Sequence, residues 1–478
     1  MKDELIAIFG AVSEEVSPHC GDRTENTPHR PSFVVAATRA EQVGELLRLA
    51  SARRVPVTPK VAGENVGGLA IPAEGGIVLD LRALRSLDID AAHAVAWIEP
   101  GVTWEQLEAA AARHGLALGF PLAPPDTSVL AGALMDGLGT RSLVHGSYAD
   151  WITGVEAYLA DGTKVVTGSA ALSGRPISRG PLPDLTGLFV GFFGTTGIVT
   201  RLGFCLWREC RFRRRDVIPC RTVEEAAALL ISGAPTGLFD DLGGLGWPAG
   251  KWALGVDRPG PRDPGEPEVF VVADYGADDE RELGRRRKVL TALSPAEPVP
   301  VDDLLHLCPE LAPFAKLPTR LSFLLDHPGG GLSWVGTYGP LDRLAEGART
   351  GSRILEQRGF PPLVVARPMK GGHYAVLRLI ERFDRRDPEE TERVREANVA
   401  LARALIDLGY VPYKCPAALH GEVLPRLDPG FRTLLSRVKR ALDPHGILNP
   451  DRWPDDATAD TQSSCPGRDP AATLLPGS

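Results

Sequence analysis

The stretch Ala62-Gly63-Glu64-Asn65-Val66-Gly67-Gly68-Leu69-Ala70-Ile71-Pro72, followed by Gly76-Ile77-Val78-Leu79-Asp80-Leu81, decides how this chain is read. Val55-Pro56-Val57 leads into a short strand just before it, and the apolar run after it reads as a buried strand. The glycines therefore fill a loop between two strands. Glycine lets the backbone approach a ligand closely, and consecutive N–H groups can then hold phosphate oxygens. Two more glycine-rich turns stand beside strands, at residues 131–139 and 194–197. One such turn is common. Three of them without a nucleoside-triphosphate motif favour a large phosphate-bearing cofactor. A Rossmann fingerprint is missing: the nearest match, Gly244-Leu245-Gly246-Trp247-Pro248-Ala249, has a proline where a helix should open.

Outward from that loop, the first half reads as α+β. Phe33–Ala36 is a strand. Thr38-Arg39-Ala40-Glu41 is a capping box, with Val43, Leu46, Leu47 and Ala50 on one helical face. Val95–Glu99 is a strand, Thr103-Trp104-Glu105-Gln106 a second capping box, and Gly115 a helix stop. Asp161-Gly162 between two apolar runs predicts a type I′ hairpin turn. After about residue 214 the pattern changes. Thr222-Val223-Glu224-Glu225 caps an Ala-rich helix, and a Gly/Pro-rich stretch at 233–267 separates it from a strand at 269–275. Further strands are expected at 321–325, 333–338, 363–367 and 373–383, with helices over 278–293, 341–358 and 387–408. Helices alternating with paired strands imply an antiparallel sheet covered on one face.

Composition narrows the class. Hydrophobic residues make up 43% and charged residues 24%, as in soluble globular proteins. A net charge of -8 lacks the basic field that nucleic-acid or anionic-membrane partners need. The seven cysteines are scattered, which fits a reducing compartment. Cys205, Cys210 and Cys220 have the wrong spacing for a zinc knuckle, so no metal is expected. No signal-type stretch follows Met1-Lys2-Asp3-Glu4, and no apolar run is long enough to span a membrane. The expectation is a cytoplasmic protein.

From about Pro31 to Trp207 the chain resembles the FAD-binding domain of the vanillyl-alcohol oxidase/para-cresol methylhydroxylase superfamily. The pieces stand in family order. They are Ala62–Pro72, Gly76–Leu81, Ile98-Glu99-Pro100-Gly101-Val102-Thr103, Pro125–Leu134, Gly154–Gly162 and Gly194–Thr200. Leu442-Asp443-Pro444-His445-Gly446-Ile447-Leu448-Asn449-Pro450 resembles the family's C-terminal return to the flavin domain. The resemblance implies an α+β fold: a PCMH-type FAD-binding domain of two α/β subdomains at 1–214 and an antiparallel-sheet cap at 215–408. A return segment at 409–456 and a disordered tail at 457–478 complete it. It implies that Val61, Ala62, Gly63, Glu64, Asn65 and Val66 wrap the pyrophosphate of FAD. Thr127, Ser128, Gly132 and Ala133 would run along the flavin, and Gly137, Leu138, His145 and Gly146 would continue that wall. Gly197, Ile198 and Val199 would hold the adenine side, and Asn449 would lie near the ring. Many relatives attach flavin through a His in the pyrophosphate loop, and residues 58–72 contain none. His373 and Tyr374 lie where others attach it from the cap, so covalent attachment is disfavoured but left open.

On the substrate side, Tyr413-Lys414 falls where the phenol-oxidising branch carries a Tyr-Arg pair. Tyr413, Lys414 and His373 are the candidate catalytic residues. Two departures speak against a simple alkylphenol: that branch's second phenolate-binding Tyr is Gly67 here or deleted, and its catalytic Asp appears as Ser147. The implied function is FAD-dependent oxidation of an alcohol or phenol-type carbon by hydride transfer to flavin N5, in keeping with secondary metabolism. Two alternatives stand beside it. One is a 2-hydroxy-acid dehydrogenase resembling the glycolate oxidase FAD subunit, with Arg367 or Arg378 on the carboxylate. The other is a flavin-binding protein without catalysis. The expected partners are a small-molecule substrate and oxygen or another electron acceptor, and a homodimer is left open.

Overall fold

A computed structural model describes residues 1–63, 67–119, 124–253, 256, 259–307, 309, 312 and 327–453. The expected strand at 321–325 and the tail at 457–478 lie outside them. Among the described residues, three larger sheets and one two-stranded pair, Leu116–Ala117 with Trp207–Arg208, organise the chain. The first is small and parallel, with Ile77–Asp80 between Phe33–Ala36 and Val57–Lys60. All four residues of its central strand are buried, as parallel pairing covered on both faces demands. Helix Glu41–Arg53 lays Val43, Leu46, Leu47 and Ala50 onto this sheet, the i, i+3, i+4, i+7 stripe of one helical face. Its start differs from the expected Thr38/Glu41 box. Gln42 accepts instead from the N–H groups of Thr38 (2.8 Å) and Arg39 (3.1 Å). The amide end of Gln42 also donates to the Ile8 carbonyl, so one side chain caps the helix and ties down the N-terminal segment.

The second sheet is antiparallel, in the order Leu87–Asp90, Val95–Ile98, Ile198–Cys205, Ile152–Tyr158, Lys164–Val166. Helix Trp104–Ala112 packs on it and begins with the reciprocal Thr103/Gln106 box. The hairpin at Asp161-Gly162 is wider than a two-residue type I′ turn. Only Gly162 has a positive φ, and the Asp161 carboxylate accepts from Thr163 N–H at 2.8 Å. That side-chain bond closes the turn without forcing Asp161 into the left-handed region.

The third sheet has eight antiparallel strands. Its order is Val299–Pro300, Phe212–Cys220, Val269–Ala277, Asp241–Gly246, Leu363–Met369, Tyr374–Asp384, Gly330–Gly339, Val411–Pro412. Helices Val223–Gly233, Leu344–Gln357 and Pro388–Asp407 cover one face, around Leu229, Val335, Leu355, Leu379 and Leu401. The Gly/Pro stretch expected as loop supplies strand Asp241–Gly246 and helix Trp247–Ala253. Its glycines answer to packing: a Cβ on Gly243 would stand 2.9 Å from Arg367 Nε. Val411–Pro412, at the head of the expected return segment, sits on the edge of this large sheet. Only afterwards does the chain reach the first sheet, where Val57 N–H donates to the Ile447 carbonyl and Asn449 N–H to the Val57 carbonyl.

Strand alternation settles what the uncovered face of the large sheet presents. Residues two apart share a face. The register pairs Trp334 with Ile380, Gly336 with Arg378 and Tyr338 with Val376. Trp334, Gly336, Tyr338, Tyr374 and Arg378 therefore look away from the helices, toward the other two sheets.

Candidate active site

A cleft of about 1680 Å³, counting its solvent-open part, opens where the three sheets meet. Pro59 and Lys60 reach it from the first sheet, Ile198 and Val199 from the second, and Trp334 and Arg378 from the third. At one end Val61, Ala62 and Gly63 form the wall. Gly63 has φ +77°, and a Cβ there would stand 2.5 Å from Lys60 Cε, so only glycine fits. The buried Lys60 ammonium donates to the Pro18 carbonyl at 2.7 Å, and burial lowers its pKa.

The middle of the cleft is walled largely by backbone and aliphatic carbon. Thr127, Ser128 and Gly132 line one side, with Gly137 and Leu138 beyond them. Ser128 caps the short helix Val129–Leu134: its hydroxyl accepts from Ala131 N–H at 3.2 Å and donates to the Pro100 carbonyl at 2.6 Å. Gly197, Ile198 and Val199 line the other side. A Cβ at Gly137 would come within 2.9 Å of the Tyr148 ring, and one at Gly197 within 2.8 Å of the Phe189 ring. Asn449 stitches the two walls together. Its amide donates to the carbonyls of Leu69 (3.0 Å) and Phe193 (2.7 Å). Its Oδ1 is buried with no hydrogen-bond partner among the described residues, in a residue that lines the cleft.

The other end is aromatic and cationic. Gly336 leaves a gap opposite Arg378, and Tyr413 fills it: a Cβ on Gly336 would lie 2.4 Å from the Tyr413 hydroxyl. Tyr413 N–H donates to the Gly336 carbonyl, and Trp334 Nε1 donates to the Tyr413 hydroxyl at 3.2 Å. Tyr338 stacks on Tyr413 at 5.1 Å and is fixed by its own hydroxyl, which donates to the Asp136 carbonyl at 2.6 Å. The Arg378 guanidinium lies 5.5 Å from the ring centres of both Trp334 and Tyr413. It is 9% exposed, and its Nε has no hydrogen-bond partner among the described residues. Lys414 Nζ lies 4.7 Å from the Trp334 ring. Burial, with Arg378 beside it, brings the Lys414 pKa down to about 7.

The cleft thus gathers Val61, Ala62, Gly63, Thr127, Ser128, Gly132, Gly137, Leu138, Gly197, Ile198, Val199, Asn449, Tyr413 and Lys414. Glu64, Asn65 and Val66 lie outside the described residues. Four candidates stand elsewhere. Ala133 turns into the aromatic core with Trp104 and Leu107, because it is on the inner face of its helix. His145 stacks on Trp207 at 4.7 Å instead of on the flavin wall. Gly146 has φ +83° and packs against Asp150, which caps the next short helix. His373 is exposed at the hairpin turn after Leu363–Met369 and lines no part of the cleft. Arg367 is occupied by Asp241 at 2.9 Å, whereas Arg378 faces the cleft. Sequence reasoning missed Lys60 and Trp334. The alternation of Trp334, Gly336 and Tyr338 was the available signal, a small residue between two aromatics on one strand face.

Residues 31–168 match a family described as an FAD binding domain. Over most of its length the chain superposes on p-cresol methylhydroxylase with substrate bound. The TM-score is 0.82, with 22% identity, 95% of this chain and 96% of that one covered. This is an FAD-binding protein with the p-cresol methylhydroxylase fold. The likeness of fold therefore extends through the cap. Two curated proteins are similar to this chain in sequence. The flavoprotein subunit of 4-cresol dehydrogenase [hydroxylating] from Pseudomonas putida is 25% identical over 482 residues, 90% of this chain and 88% of that protein. D-lactate dehydrogenase from Archaeoglobus fulgidus is 33% identical over 195 residues, 40% of this chain and only 42% of that protein.

The residues present fit FAD on the flavoprotein's own geometry. A glycine loop with a buried ammonium beneath it suits a pyrophosphate, and a flat backbone wall with aliphatic side chains suits a ring system. The orphaned Asn449 Oδ1 wants an N–H donor from a ligand.

Proposed function

We propose that this flavoprotein oxidises an alcohol or phenol-type carbon, with the substrate oxygen held by Arg378 and Tyr413. The observation that carries the reading is the buried Arg378 guanidinium on the cleft wall, whose Nε has no hydrogen-bond partner among the described residues. A buried N–H without an acceptor is costly, and an anionic or hydrogen-bonding oxygen would supply one. Trp334 and Tyr413 give that oxygen an aromatic surround, which suits a ring-bearing substrate. FAD, when bound, supplies the hydride acceptor. The protein's part is to orient the substrate between the flavin wall and the Trp334–Tyr413 pair, to exclude water, and to hold charge at the oxygen. Electrons would then pass to oxygen or another acceptor. The likeness over nearly the whole chain to 4-cresol dehydrogenase supports the phenol-type reading.

A second reading takes a 2-hydroxy acid, with its carboxylate on Arg378. The same Arg378 Nε, without a hydrogen-bond partner among the described residues, favours it, as does the likeness to D-lactate dehydrogenase. An anaerobic screen of the FAD-loaded protein separates the two, by loss of the ~450 nm flavin band. A 4-alkylphenol, 4-hydroxybenzyl alcohol, D-lactate and glycolate form the panel. Bleaching by either phenol supports the first reading, and bleaching by lactate or glycolate alone replaces it with the second. No bleaching by any of them leaves a flavin-binding protein without this activity.

A further inference from the structure

Tyr413, Arg378 and Lys414 meet around one indole ring, yet they cannot share one task. Lys414 Nζ is 4.7 Å from the Trp334 ring centre and Arg378 Cζ 5.5 Å from it, so two basic groups stand beside a single side chain. Ionisable groups stand around Lys414 among the described residues. Arg378 comes from strand Tyr374–Asp384, Tyr413 precedes it in the chain, and Asp22 comes from the N-terminal segment. The Asp22 carboxylate is engaged elsewhere, accepting from the N–H groups of Thr24 (2.9 Å) and Gly68 (2.8 Å). A guanidinium stays charged throughout the accessible pH range, whereas a buried amine beside it gives up its proton readily. The pair therefore divides into a fixed charge and a group able to carry a proton.

We propose that Lys414 is the general base of the reaction, taking the O–H proton of the substrate while Arg378 holds the oxygen. This rests on the oxidation reading above. The substrate loses a proton and a hydride when it is an alcohol. The O–H bond breaks and its proton goes to Lys414 Nζ, giving the ammonium form. The C–H bond leaves with its electron pair, which reduces FAD by two electrons, and C–O becomes C=O. For a 4-alkylphenol the same two losses give a quinone methide. Burial and Arg378 set the amine at about 7, so a large share of it is free base at neutral pH.

The test is stopped-flow flavin reduction of the FAD-loaded wild type, Lys414→Arg and Lys414→Ala, with whichever panel compound bleaches fastest. The wild-type rate should rise with pH to a plateau with a midpoint near 7. Lys414→Arg keeps the charge but should lose that limb and fall by roughly 10²–10⁴-fold. Methylamine should restore part of the Lys414→Ala rate. In parallel, acetylation of Lys414 in the substrate-free wild type, read by peptide mass spectrometry, should titrate with the same midpoint. A limb retained in Lys414→Arg, or acetylation that titrates like an exposed lysine at about 10, overturns the base role and leaves the oxidation reading standing. Failure of every panel compound to bleach the wild type at any pH overturns the oxidation reading, and the base role with it.

Discussion

Glu381 offers a stability measurement whose sign and slope follow from the structure. It pairs with Ser333 across the helix-covered face of the large sheet and is 1% exposed. Neither of its carboxyl oxygens has a hydrogen-bond partner among the described residues. Glu25, 4% exposed, faces it from the N-terminal segment, accepting from Asn398 Nδ2 at 3.0 Å with its other oxygen unpartnered. Burial first, and then the Glu25 charge, hold the Glu381 pKa well above its ordinary value of 4.5. Above that ordinary value the unfolded chain releases the proton and the folded chain keeps it. Stability is therefore highest below it and is lost as pH rises toward the folded pKa. The slope is about 1.4 kcal/mol per pH unit for one proton held only in the folded state. Glu381→Gln keeps the shape and cannot ionise, so its stability relative to wild type should improve as pH rises above the ordinary carboxyl range, by up to about that amount per unit while the folded chain keeps the proton. For a chain of this size the change corresponds to roughly 1–3 °C in Tm per pH unit. Melts of both proteins in matched buffers read it. Parallel curves above that range would refute the reasoning, because they would mean that Glu381 is ionised in the fold or already paired.

Three further outcomes concern the cleft. Asn449→Ala removes two hydrogen bonds that join its walls, at about 1 kcal/mol each, and should weaken FAD binding by roughly tenfold or more in a fluorescence titration of the apoprotein. Gly197→Val drives side-chain carbon into the Phe189 ring, so the protein should purify with little bound FAD, seen in its visible spectrum. Tyr413→Phe removes the hydroxyl that accepts from Trp334 and faces the substrate end, and should slow flavin reduction by about tenfold or more without loss of bound FAD. An unchanged rate would remove Tyr413 from the active site.

Much of the fold could be read from local pattern. The stripe Val43, Leu46, Leu47 and Ala50, the Thr103/Gln106 box and the strand Ile77–Asp80 each state their structure within a few residues. Misreadings arose where a distant group supplied the reason. Gln42 displaced the expected cap because Ile8 and the chain before it gave its amide a second bond. Asp241–Gly246 looked like a loop because its glycines make room for Arg367 from a strand more than a hundred residues later. His145 and His373 suited a flavin site by chemistry, but one stacks on Trp207 and the other stands in solvent.

The sequence by itself marked the glycine-rich turns beside strands, because glycine patterns are local, and the family resemblance put residues 61–63, 132, 137 and 197 on FAD. The structure brings those residues into one cleft. The substrate end was decided only by tertiary structure. Trp334, Arg378 and the Tyr413-Lys414 pair come from three separate segments, and each strand could have shown either face to the cleft. Antiparallel register chose the face, and the side-chain gap at Gly336 let Tyr413 in. That placed a lysine beside an arginine in a half-buried aromatic corner, where proximity changes what a lysine can do.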